Sequence, residues 1–294
     1  MAGLNKLQMQ VFGRIDTNAP SIYSDAIAVF SLRKVFHWTN AVLKVRRNSD
    51  NATKFVFFDD EGKISLSSYV SDSNSSQTEI NFGSWVGENS AFVEEWLSMK
   101  SDNIIGATPS QTINSLQPRI VDSGVLETKN GEAAINFLNT PGVGLIYGSV
   151  IFDINRTVLT VSATNGGAYN FIFGTWHNGL ERFMLCNSRD NGRHFMFTNS
   201  DKLLLTTANT NNNQRLLTAL VTSDQYKGWR NNISQGVLNR TGTFNNGDFN
   251  IGIQFSGNSF TYNGTIQEIV VFPTDKTADL TTLHGDINSY YSIY

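Results

Sequence analysis

Aromatic rings flanked by basic and hydrogen-bonding side chains recur near the ends of apolar segments in this chain. Trp176, His177 and Asn178, with Arg182 close by, make one such group; Tyr226, Trp229 and Arg230 make another, within the polar stretch Tyr226-Lys227-Gly228-Trp229-Arg230. A flat ring can cover the apolar C–H face of a sugar while Asn or Arg bonds its hydroxyls, so both groups are candidates for carbohydrate binding. A core or subunit contact competes with that role for every Trp and Phe. Oxygen ligands cluster at Asp59-Asp60-Glu61 and at Asp190-Asn191, a chemistry suited to Ca²⁺. Neither cluster has the regular alternation of a calcium loop, and turn chemistry accounts for both. His37, His177, His194 and His284 lack ligand spacing, so no metal centre is expected. Cys186 is the single cysteine, which excludes an intramolecular disulfide and a cysteine-rich zinc site and leaves a small core residue. Residues 141–148, PGVGLIYG, imitate a dinucleotide loop but lack the third glycine and a following helix. No cofactor is expected beyond an occasional Ca²⁺.

The rest of the composition says what must position these groups. Of 294 residues, 40% are hydrophobic and 12% aromatic, enough for a large core, while only 16% are charged. Polarity comes from Asn, Ser and Thr, which with Gly supply turns, while Phe, Ile and Val supply strands. That balance fits an all-β protein and argues against helical bundles and disorder. The net charge of −3 lacks the basic excess of a nucleic-acid binder. No apolar run is long enough to span a bilayer, and the N-terminal residues do not read as a signal peptide.

Residues 1–23 have no clear period and read as an arm. A short helix is expected over 24–35, capped at Ser24, followed by a hairpin from 41–47 and 53–60 and one helical turn near Phe82–Val86. Between 125 and 272 strand-like segments recur every 8–12 residues, separated by turn clusters such as Asn165-Gly166-Gly167 and Asn246-Gly247. That spacing predicts a sandwich or barrel. Leu280, Leu283, Ile287 and Tyr291 share one face of a final helix over 277–291. The expected architecture is one domain over 24–294, an all-β sandwich of two antiparallel sheets built mainly from residues 119–272.

Three stretches taken in order carry a resemblance: residues 28–53 (AVFSLRKV followed by VLKVRRNSDNAT), 92–137 (FVEEWLSMK…GEAAINF) and 264–294 (GTIQEIVVF…YYSIY). They resemble the concanavalin A-like, laminin-G-like jelly-roll modules of structural proteins in tailed bacteriophages, crAss-like phages among them. More distantly the layout is similar to the catalytic domain of the arabinofuranosidase B family. The first resemblance implies a non-enzymatic virion component: a capsid- or tail-attached fibre, decoration or adhesin protein. It further implies attachment to other virion proteins through the arm, a homo-oligomer (by analogy a trimer), and host-surface glycans as the ligand where one is bound. Such a protein would be made in the host cytoplasm and end in the virion. The second implies a glycoside hydrolase as the alternative. In that pattern Glu181, in LERFML, is the nominal nucleophile, but the run that should carry the acid, Gly252–Ser259, has no carboxylate, and the family's adjacent-cysteine pair is missing. Without an acid the leaving oxygen is not protonated.

Overall fold

The computed structural model describes residues 21–100, 108–150, 155–166, 170–176, 183–189, 193–198, 201–208, 212–240, 247–253 and 261–294. In chain order its strands are β1 (Ala28–Ser31), β2 (Leu43–Arg47), β3 (Thr53–Val56), β4 (Val70–Ser71), β5 (Ala91–Trp96), β6 (Arg119–Asp122), β7 (Val125–Leu126), β8 (Thr128–Lys129), β9 (Glu132–Ala133), β10 (Ile135–Phe137), β11 (Leu145–Val150), β12 (Arg156–Thr164), β13 (Asn170–Trp176), β14 (Met184–Arg189), β15 (Arg193–Thr198), β16 (Asp201–Ala208), β17 (Gln214–Val221), β18 (Gln225–Arg230), β19 (Ile233–Asn239), β20 (Gly247–Ile251) and β21 (Gly264–Phe272). Two α-helices, α1 (Phe82–Val86) and α2 (Leu280–Tyr291), accompany them.

The larger sheet runs β19-β18-β17-β12-β21-β10-β6-β5-β2-β3-β4, with β1 also on β21 and β7 on β6. The second sheet runs β11-β20-β13-β14-β15-β16, and β8-β9 form a separate hairpin. The ladders described are all antiparallel. The architecture is therefore all-β with several antiparallel sheets, consistent with a sandwich. Strand β21 organises the larger sheet: one edge pairs with β12, and the other is shared end to end by β10 at residues 264–266 and β1 at 268–271.

Helix α2 forms as the spacing predicts, with Leu280, Leu283, Ile287 and Tyr291 buried, and α1 forms at Phe82–Val86. The expected alternation in β21 gives way to burial of nearly every residue. Helix α2 covers the face that would otherwise meet water: the Tyr291 hydroxyl reaches Glu268 Oε2 (3.2 Å), and His284 reaches Thr218 of β17 (2.8 Å). A strand covered on both faces reads as an apolar run rather than an alternation.

One expectation is corrected. No helix forms over 24–35. Residues 22–25 make a turn, with Ser24 N–H donating to the Ser21 carbonyl (2.8 Å), and β1 then pairs with β21 in the register Ala28↔Val271 and Phe30↔Ile269. Ala28, Val29, Phe30 and Ser31 are all buried, so this segment has no polar face to give a surface helix. The strands do come mainly from residues 119–272, where β6 to β21 lie, and β1 to β5 add five more to the larger sheet. Of the expected arm, residues 1–20 lie outside the described residues; Tyr23 at its end is buried and stacks on Phe272 (6.4 Å between ring centroids).

Candidate functional site

A polar groove opens at the β3-β4 end of the larger sheet. Strand β3 runs on through buried Phe57 and Phe58 into a turn at Asp59–Lys63. Asp59 fixes that turn: its Oδ1 accepts the backbone N–H groups of Glu61 (3.0 Å) and Lys63 (3.1 Å), and its Oδ2 accepts the Ser65 hydroxyl (2.6 Å). Gly62, at φ +77°, supplies the left-handed residue that the reversal needs. The chain then returns beside β3, with Phe57 N–H donating to the Tyr69 carbonyl (2.9 Å), which sets Tyr69 against Asp60. The Tyr69 hydroxyl donates to Asp60 Oδ1 (3.0 Å), a bond that raises the Tyr69 pKa above its ordinary value. Trp38 arrives on a separate loop. Ala41 N–H donates to the Asn74 carbonyl (2.9 Å) and ties that loop to residues 74–77, while Phe36 meets Trp38 edge-on (6.3 Å between centroids).

Two compartments result. The first, of about 540 Å³, is lined among others by Lys34, Trp38, Asn40, Tyr69 and Gln77. The second, of about 500 Å³, is lined among others by Lys63, Ser65, Ser67 and Asn81. Asp59, Asp60 and Tyr69 border both. Glu61 pairs with Lys63 (2.6 Å), a hydrogen bond that raises the lysine pKa. Two half-buried rings, a ring of amides and hydroxyls, and exposed carboxylates can stack on and hydrogen-bond a polyhydroxylated ligand.

A second charged cluster lies beneath α2. The Arg33 guanidinium donates from Nε to Glu268 Oε2 (2.8 Å), and from Nη2 to Glu268 Oε1 (3.2 Å), Asp286 Oδ2 (2.7 Å) and the Tyr23 hydroxyl (2.9 Å). Tyr23 donates in turn to Asp286 Oδ2 (2.6 Å), and Ser31 to Glu268 Oε2 (2.8 Å). The rings of Tyr23, Tyr290 and Tyr291 surround the guanidinium at 5.3–5.8 Å. Arg33 is 6% exposed and Glu268 1%. Burial opposes the charge on Arg33, yet the carboxylates around it raise its pKa; burial likewise pushes the Tyr23 and Tyr291 phenols up. With Arg33 and Glu268 buried against one another and neither groove compartment reaching them, this cluster fastens α2 and β1 to β21.

Apart from Asp59-Asp60-Glu61, those residues marked by sequence that the structure describes fall elsewhere. Glu181, Arg182, His177, Asn178, Asp190 and Asn191 lie outside the described residues. Trp176 ends β13, opposite Asp248. Tyr226, Trp229 and Arg230 sit not in a loop but in β18, paired on both sides by β17 and β19. Tyr226 is only 2% exposed and belongs to the core, so it offers no ring face to a ligand; Trp229 is half-buried against that core. Their stretch looks polar, but alternation in a central strand hides every second side chain. For the calcium candidate Asp59-Asp60-Glu61, Asp59 is occupied by its own turn and Glu61 by Lys63; among the described residues no three His, Cys, Asp or Glu side chains gather as a metal ligand set. Cys186 is buried in β14. His284 is buried between Thr218 and Asn232, and burial lowers its pKa to about 4. Among the described residues no helix is long and apolar enough to cross a membrane.

No family model matches the chain, and no curated protein matches it. Solved structures do, distantly. Domain 4 of AbnA, a GH43 extracellular arabinanase from Geobacillus stearothermophilus, in complex with arabinotriose, is 12% identical, with 48% of this chain covering 71% of that one at a TM-score of 0.43. The CBM40 of the Ruminococcus gnavus IT-sialidase, bound to α2,3 sialyllactose, is 15% identical, with 52% of this chain covering 96% of that one at a TM-score of 0.40. The Trypanosoma rangeli sialidase is 11% identical, with 65% of this chain covering 30% of the enzyme at a TM-score of 0.43. These are partial likenesses of architecture, the first of them to a domain of an arabinan-degrading enzyme. The expectation of a strictly non-enzymatic virion component is corrected here: the partial likenesses found are to carbohydrate-active proteins, catalytic ones among them.

Proposed function

We propose that this chain is a carbohydrate-active protein that seats a glycan in the groove between Trp38 and Tyr69. The observation that carries this reading is the convergence of those two half-exposed rings on Asp60, Asn40 and Gln77 around one open groove of about 540 Å³. Stacking on Trp38 would supply apolar contact, and the amides and Asp60 would read hydroxyl positions. Each hydrogen bond would add only about 0.5–1.5 kcal/mol net, so the rings set the affinity.

Glycoside hydrolysis is a second reading, favoured by the exposed carboxylates of Asp60 and Glu61 beside the groove. It requires one carboxyl group to deliver a proton and another to act as base or nucleophile. Asp60 accepts from Tyr69 and Glu61 from Lys63, so both are set as acceptors, and binding is the better-supported half of the proposal. Glu181 stays a separate candidate nucleophile; Trp229 and Arg230 of β18, and Trp176, His177 and Asn178, stay separate candidates for carbohydrate binding.

A glycan array probed with the wild type and Trp38→Ala tests binding: hits lost in the variant support the groove, and hits indifferent to it overturn the assignment. Release of reducing ends from the same glycans tests hydrolysis, with Asp60→Asn, Glu61→Gln and Glu181→Gln showing which carboxylate is needed.

A further inference from the structure

The groove does not end at Tyr69. Its two compartments, about 540 Å³ and about 500 Å³, each fall in the range of pockets that hold a small ligand, and they adjoin at Asp59, Asp60 and Tyr69, which line both. The far compartment repeats the polar chemistry of the near one with Ser65, Ser67 and Asn81. Asn81 is held in place by donating from Nδ2 to the Ser67 carbonyl (3.0 Å), which leaves its amide oxygen as an acceptor at the groove wall. A site for one terminal sugar needs only one such compartment and a blocked end. Two adjoining open compartments suit a chain that extends from one to the other.

The charges speak to what kind of chain. Three carboxylates, Asp59, Asp60 and Glu61, face two ammonium groups, Lys34 and Lys63. Glu61 and Lys63 cancel each other across 2.6 Å, and the Asp59 carboxylate is taken up by three donors of its own turn. What remains for a ligand is Lys34 beside the turn at Gly62, Asp60, and neutral amides and hydroxyls. A polyanionic chain would meet three carboxylates against two ammonium groups among the described lining residues, one of those two already paired with Glu61, and repulsion would oppose it.

We propose that the groove binds an internal stretch of a neutral polysaccharide, with sugar units on both sides of Tyr69 and Asp60. This rests on the glycan-binding reading above and adds to it the extent of the site and the charge class of its ligand.

The test uses cello-, xylo- and manno-oligosaccharides of one to six units, with oligogalacturonides of the same lengths as the anionic comparison, titrated calorimetrically into the full chain. In at least one neutral series, affinity should climb by about tenfold or more between the disaccharide and the tetrasaccharide, then level off, with little dependence on salt. Asn81→Ala should cost affinity only for ligands long enough to enter the second compartment, while Trp38→Ala should weaken every length. Affinity independent of length, or an Asn81→Ala variant that binds long chains as the wild type does, overturns the extended site while leaving glycan binding in place. Preference for the oligogalacturonides overturns the neutral assignment. No binding in any series, neutral or anionic, removes the glycan reading and this inference with it.

Discussion

The Arg33 cluster and the Trp38–Tyr69 groove are made from the same parts: a cation, carboxylates and aromatic rings. Their geometry makes them opposites. In the first, Arg33 is enclosed by three tyrosine rings and pairs with Glu268 at 1% exposure, with Ser31 and Tyr291 also donating to that carboxylate. In the second, Trp38 and Tyr69 stand half-exposed over open space, and Asp60 holds a single bond from Tyr69 at the surface. A charged cluster whose central pair is buried serves the fold; one that keeps donors and acceptors facing solvent can serve a ligand. Arg33 also joins the two regions. It forms a β-bridge with Lys63, and its neighbour Lys34 donates its N–H to the Gly62 carbonyl (2.7 Å), so the buried cluster anchors the backbone next to the groove turn.

The largest expected effect falls on the buried side. Glu268→Ala strands the Arg33 guanidinium without its main counter-charge, and urea denaturation should show a loss of about 3–5 kcal/mol. A loss below about 1 kcal/mol would mean that the cluster is not what holds α2 and β1 in place.

Next comes acid sensitivity from His284. Burial keeps its folded pKa at about 4 against an ordinary 6.5, so the unfolded chain binds a proton over that interval and the folded chain does not. Its contribution is complete above pH 6.5 and fades as pH falls towards 4, a loss on the order of 3 kcal/mol. His284→Gln should flatten the stability-versus-pH curve in that window relative to the wild type. Parallel curves for the two proteins would count against a buried neutral imidazole.

On the groove side, Trp38→Ala should weaken a bound oligosaccharide at least tenfold, about 1.4 kcal/mol, with the urea midpoint nearly unmoved. Smallest of all is Tyr69→Phe, which keeps the ring and removes only the hydroxyl that holds Asp60. It should reduce affinity less than Trp38→Ala does and leave stability alone; an equal or larger reduction would transfer the main role from the ring of Trp38 to the position of Asp60.

These two regions were unequally legible in the sequence. Helix α2 announces itself because Leu280, Leu283, Ile287 and Tyr291 repeat at helical spacing over one buried face. The strands between 125 and 272 are marked by their turns, such as Asn165-Gly166, with Gly166 at φ +97°. Strand β1 hides, since Ala28–Ser31 is covered on both faces and shows no period, and the Ser24-Asp25 pair that resembles a helix cap belongs to a turn. The Arg33–Glu268 pair joins residues 235 positions apart, and no local pattern signals it. The groove was half visible: Asp59-Asp60-Glu61 stood out as an oxygen cluster, but its meaning changes once the β3-β4 pairing brings Tyr69 beside Asp60 and a separate loop brings Trp38. The polar stretch 226–230 misled in the opposite direction, because strand pairing buries Tyr226 within it.

One measurement sets the two regions against each other: thermal melting with and without a saturating oligosaccharide, in the wild type, Trp38→Ala and Asp286→Asn. A ligand that binds only the folded state raises the melting temperature by mass action. The account predicts that Asp286→Asn, which weakens the Arg33 cluster, melts earlier yet keeps the full ligand-induced rise. It predicts that Trp38→Ala melts as the wild type does without ligand and loses the rise. A ligand-induced rise that survives in Trp38→Ala but disappears in Asp286→Asn would contradict it, and would move the glycan site from the groove to the cluster beneath α2.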